Sequence, residues 1–184
     1  SLEPIDFGTF EQTAGERCRH IFRHSRRDFL GSGVCAPDHR PVEIMSVIKQ
    51  KLGDIVLIWD PESTTSITSN NRDIAGFAIC HCGKGTEAGS DTCYIKFAAV
   101  RPPTSDNDVL FAANNFDRLI DACTTFASQQ GLSRLVAGAN TSRRQAYGKM
   151  LSKEFRIDML GVVMHNGVDV GYNRPDVYIM DDWR

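Results

Sequence analysis

Two apolar runs, IAGFAICHC (74 to 82) and TCYIKFAAV (92 to 100), separated by the glycine-rich GKGTEAGSD, constrain this chain more than any other feature. Both runs are rich in β-branched and aromatic residues, and the connection has the length and turn chemistry of a hairpin. The expectation is an antiparallel strand pair. Arg101-Pro102-Pro103 closes the second strand, because proline has no N–H to give to a ladder. TSDND (104 to 108) then reads as a solvent-facing turn with helix-capping residues.

Beyond that turn, helical and strand patterns alternate. Phe116, Leu119, Ile120, Cys123, Phe126 and Ala127 recur at spacings of three and four and stop at Gly131, which predicts a helix over 116–130. A short buried strand is expected at 134–138, and Asn140-Thr141-Ser142 opens a helix that runs to about Phe155. Strands over 157–165 and 176–183 complete the chain. Upstream, Pro41 begins a helix with Val42, Met45, Ile48, Lys49 and Leu52 on one face and Gly53 as its stop. DIVLIWDP (54 to 61) reads as a buried strand, and 62–73 as a polar loop. Residues 11–30 read as an arginine-rich surface helix. The sum is an α/β protein with a mixed sheet of six to seven strands flanked by helices.

At 184 residues the chain suits one domain. A hydrophobic fraction of 41% with 24% charged residues is ordinary for a globular protein. The net charge of -2 supplies no global field to draw the molecule to nucleic acid or anionic lipid. No apolar run approaches the ~20 residues of a membrane span, and SLEPIDFGTFEQ has no apolar leader core. A cytoplasmic protein is expected. The chain starts without methionine, so the further expectation is that it is a piece of a longer protein. The six cysteines follow no disulfide framework, and most sit in apolar runs where a reduced thiol serves as a small core residue.

The block 73–184 resembles the GNAT superfamily of N-acetyltransferases. The pieces that carry the resemblance are AAVRP (98 to 102), the helix after it, the strand LVAGAN (135 to 140) ending in Asn140, and RRQAYGKM (143 to 150) with Tyr147 seven residues beyond that asparagine. Residues 1–72 would then be the variable, substrate-side front half, and 73–184 the acyl-CoA-binding core. The resemblance implies a GNAT fold in which two neighbouring parallel strands splay apart beyond Val100 and Asn140. The pantetheine arm of acetyl-CoA, the cosubstrate, would lie in the gap, held by backbone at Phe97, Ala98, Ala99 and Val100 and secured by Asn140. An N–H of the same segment would stabilise an oxyanion. Tyr147 would be the catalytic acid that protonates the leaving thiolate, since a phenol stays protonated at neutral pH. The implied activity is acetyl transfer by direct attack of a primary amine, on a small molecule or a peptide.

One family element has no counterpart. The expected phosphate loop carries glycines, whereas Asn114 and Phe116 stand at those positions here, preceded by Asp106 and Asp108, which would repel a diphosphate. Asn114 can take left-handed backbone angles and is the cofactor-binding candidate in that loop. The alternative function is accordingly a non-catalytic acyl-CoA-binding or regulatory module with a decayed phosphate loop. Glu62, Glu87, Asp91 and His165 are unranked candidates for a general base.

Other constellations have plainer readings. Arg17, Arg19, His20, Arg23, His24, Arg26 and Arg27 form a basic cluster better read as a solvated helix face than as a nucleic-acid surface, because no aromatic residues are interleaved for stacking. His20 and His24 lack a third metal ligand. Cys80 and Cys82 share a strand face with Cys93 opposite, but that face is expected to pack on a helix, so no metal site is assigned. Asp181 and Asp182 of the terminal DDWR are available to pair with arginines. The terminal strands have edges of the kind that pair across a homodimer, although nothing in the sequence requires one.

Overall fold

The computed structural model describes residues 40–61, 73–102, 109–162 and 177–181. In chain order these hold α1 (Arg40–Gln50), β1 (Gly53–Trp59), β2 (Ile74–Gly83), β3 (Gly89–Val100), α2 (Val109–Gln129), β4 (Arg134–Ala137), α3 (Arg144–Ser152) and β5 (Ile179–Asp181). The helix expected at 11–30, with its basic cluster and paired histidines, lies outside the described residues, as do Glu62 and His165.

These strands form one mixed sheet in the order β1-β2-β3-β4, with β5 also on β3. The hairpin expectation holds: β2 and β3 are antiparallel, with Cys82 opposite Cys93. β4 returns parallel to β3 after α2 crosses over the sheet. The α/β class and the mixed sheet expected from the sequence are therefore present, with five strands among the described residues. A strand over 157–165 is not seen in its described part. Residues 157–162 pair with no strand among the described residues, and Met159, Leu160 and Val162 are exposed at 71, 77 and 86%. Apolar, β-prone side chains make a segment eligible for a strand, but a ladder partner has to be supplied by the fold.

Each sheet face carries its own core. On one, α2 packs Phe116, Leu119, Ile120, Cys123 and Phe126 against Ala78, Cys80, Cys93, Ile95, Ala98 and Val100, and α3 adds Ala146 and Met150. On the other, Ile44 and Val47 of α1 meet Phe77, Ile79, Phe97 and Ala99. The α2 stripe is the one the periodicity predicts, but the helix starts at Val109, because Ala112 and Ala113 extend the same stripe one turn back. In α1 the buried face is Ile44 and Val47, with Ile48 beside them, while Met45 turns out to the rim at 37% exposure. Among the described residues no helix is long and apolar enough to cross a membrane.

α1, α2 and α3 end in the same way. Leu52 and Lys51 donate their N–H groups to the carbonyls of Val47 and Ile48; Leu132 and Gly131 do so to Ala127 and Ser128; Phe155 and Glu154 do so to Met150 and Leu151. These are Schellman caps, whose penultimate residue must take a left-handed backbone. Gly131 does so at φ 72, but Lys51 and Glu154 do so at φ 55 and 66 with a side chain attached. The stop of α1 is therefore Lys51. Gly53 serves a different purpose: it opens β1 opposite His81, where an added Cβ would lie 1.9 Å from the Cys80 carbonyl oxygen.

Candidate functional site

Midway along its pairing with β2, β3 carries one residue too many. Ile79 pairs with Phe97 but Cys80 pairs with Ile95, so Lys96 is an extra residue, a β-bulge. The bulge reverses which residues face which side. Cys93 and Ile95 point to the α2 core, Phe97 and Ala99 to the α1 core, and Ala98 and Val100 back to α2. It also marks a change of partner. Before it, Thr92 to Ile95 pair with Arg134 to Ala137 of β4; beyond it, Phe97 to Ala99 pair with Asp181 to Ile179 of β5.

The parallel strands thus part company at Lys96, and the edge they leave must find hydrogen-bond partners. β5 supplies them. The Val100 N–H donates to the Tyr178 carbonyl at 3.2 Å, and the antiparallel register carries the pairing on to Asp181. The far edge of β5 is closed as well, because the Asp181 N–H donates to the Gly138 carbonyl at 3.3 Å. Arg143, just before α3 and 4% exposed, donates through Nη1 to the Asp181 carboxylate at 2.9 Å and lies 3.5 Å from the Ile179 carbonyl. The Tyr178 ring packs, tilted, with its centroid 5.3 Å from that of Phe116, the largest fully buried side chain of α2. Arg143 is not among the residues that the sequence singles out for this site. Its one visible signal is the acidic pair at 181–182.

Phe97, Ala98, Ala99 and Val100 therefore do line the place where β3 and β4 diverge, and β5 holds their edge in this structure. Asn140 lies next to it, half-buried, after β4. Its Oδ1 accepts from the Ser142 N–H at 3.0 Å and the Ser142 hydroxyl at 2.6 Å, and its carbonyl accepts from the Arg143 N–H. This tight turn delivers the chain into α3, which begins at Arg144 rather than at Asn140 itself. Tyr147 is half-buried on α3, one turn past Arg143, whose carbonyl accepts its N–H at 3.0 Å.

Asn114 is placed elsewhere. It is exposed inside α2, five residues past Val109, where its own N–H belongs to the helical ladder. Only the first four N–H groups of a helix are free to meet an anion. Within the described part of α2 that end is formed by Val109 and the residues after it, one turn before Asn114.

The remaining candidates are tied into the scaffold. Asp91 at the start of β3 accepts from the Ser133 hydroxyl at 2.5 Å and the Ser133 N–H at 3.2 Å, which lowers its pKa and makes it a poor base. Glu87 pairs with His81 Nδ1 and Lys96, each at 2.9 Å. Cys80, Cys93 and Cys123 are fully buried against one another. Hydrogen bonding to a neighbouring thiol, together with burial, pushes the Cys80 and Cys93 thiols up, and burial pushes Cys82 up to about 11. Cys80 and Cys93 are thus held as thiols in a packed core. Among the described residues no three His, Cys, Asp or Glu side chains are placed to hold a metal ion.

Comparisons with protein-family models, with curated proteins and with solved structures found no match.

Proposed function

We propose that this chain is an N-acetyltransferase of GNAT type that moves an acetyl group from acetyl-CoA to a primary amine by direct attack. The observation that supports it is the divergence of the parallel pair β3 and β4 at the Lys96 bulge, with Asn140 and Tyr147 on the segment after β4. The β3 edge from Phe97 to Val100 accepts an extended, amide-bearing backbone in strand register, which is what a pantetheine arm would offer. In this reading the side-chain amide of Asn140 donates to an arm carbonyl, and the Tyr147 phenol protonates the leaving thiolate. The substrate is an amine on a small molecule or a peptide.

A second reading, a non-catalytic acyl-CoA-binding or regulatory module, is favoured by one observation: the chain's own β5 fills the edge the arm would need. Calorimetric titration with acetyl-CoA and with free coenzyme A, paired with mass detection of acetylated products from a mixed amine panel, separates the two. Micromolar binding with product formation supports the enzyme. Binding without any product supports the module. The absence of heat from both the parent and Asp181→Asn, with melting temperatures unmoved by high ligand, refutes both.

A further inference from the structure

The divergence of β3 and β4 opens a strand-shaped slot, and its occupant is short. β5 has only three residues in the ladder, against twelve in β3. It is held at its ends by Val100 N–H to Tyr178 O at 3.2 Å and Asp181 N–H to Gly138 O at 3.3 Å. A charged contact, Arg143 to Asp181, ties the end of the strand to the start of α3, and Arg143 is buried. Separating a buried guanidinium from a carboxylate is costly, so strand and latch stand or fall together.

We propose that β5 is an autoinhibitory strand that closes the acyl-CoA slot, with the Arg143–Asp181 pair as its latch. The gate rests on the acetyltransferase reading and adds its regulation. The arm and β5 compete for the same backbone groups at Ala98 and Val100, so acetyl-CoA binds only the fraction of molecules in which β5 has left the β3 edge. Exchange of one extended backbone for another conserves the hydrogen bonds of β3. The side chains of Tyr178, Ile179 and Met180, all buried, make the closed state the resting one. Apparent affinity then scales with the open fraction, and anything that loosens the latch tightens binding.

The test uses the full chain in two variants. Asp181→Asn keeps the shape of the latch and removes its charge. Amide exchange at Ala98 and Val100 is expected to quicken, and acetyl-CoA to bind about tenfold more tightly than to the parent. The double variant Ala99→Cys, Ile179→Cys spans a directly opposed pair of β3 and β5 and can be closed by oxidation. Its reduced form should bind acetyl-CoA, and its oxidised form should bind on the order of 100-fold more weakly, reversibly with dithiothreitol. The comparison within one protein controls for folding. Equal binding by the oxidised and reduced forms would overturn the gate and leave the acetyl-CoA reading standing. No binding by the parent, Asp181→Asn or the reduced double variant overturns both.

Discussion

The caps of α1, α2 and α3 make a prediction whose sign depends on residue type alone. Lys51, Gly131 and Glu154 occupy the same left-handed position of the same motif, but only one of them is glycine. An L residue is disfavoured there by roughly 1–2 kcal/mol. Glycine recovers that, less the roughly 0.5–1 kcal/mol it loses through a freer unfolded chain. Lys51→Gly and Glu154→Gly should each therefore stabilise the protein by about 0.5–1 kcal/mol. Both side chains are exposed, so little packing is lost. Gly131→Ala is the mirror experiment. A Cβ built there has nothing within 4 Å, so the cost is conformational alone; it should destabilise by about 1 kcal/mol. Urea unfolding reads all three as midpoint shifts at unchanged slope, and each kcal/mol corresponds to about 2–4 °C in melting temperature for a domain of this size. Lower midpoints for the two glycine variants, or no change for Gly131→Ala, would refute the reasoning.

Further outcomes are expected at other positions. Phe116→Ala removes a fully buried ring that packs on Tyr178 and should cost about 3–5 kcal/mol in urea unfolding; a loss under about 1 kcal/mol would mean the core recloses. Asp91 has its pKa lowered from 3.8, chiefly by the Ser133 hydroxyl, so the stability it contributes is present above that value and disappears as pH falls through the lowered one. Asp91→Asn should accordingly weaken the acid limb of the stability curve relative to the parent, and superimposable pH profiles would disprove it. If the acetyltransferase reading is right, Tyr147→Phe lowers turnover and leaves acetyl-CoA affinity nearly unchanged, while equal turnover removes the acid role. Asn140→Ala should cost about 0.5–1.5 kcal/mol of stability for each lost turn bond and also weaken acetyl-CoA binding; unchanged affinity would confine Asn140 to the turn.

The legible parts of the fold are those whose causes are local. The Gly-rich link between the two apolar runs specifies a hairpin, the Phe116-to-Ala127 stripe specifies the buried face of α2, and Gly131 specifies its end. The start of α2 is not legible because Asn114 and Asn115 resemble loop residues, while the alanines before them carry the stripe too faintly to count. The cap residues of α1 and α3 are hidden because Lys51 and Glu154 are poor left-handed residues, in a conformation seen only once the cap hydrogen bonds are known. At the site, Asn140 and Tyr147 stand out in the sequence, but Arg143 does not, because an arginine before a helix is ordinary until its burial is known.

By itself the sequence determined which segments can be strands or helices and which face of each is apolar, since these follow from spacing and backbone chemistry within a dozen residues. Only the tertiary structure decided how many strands pair, where β3 changes partner, and what lies against its free edge. A bulge at Lys96 depends on the register of two strands at once. The seat of β5 depends on a contact between residues 143 and 181, and no local pattern encodes a pairing across that distance in the chain.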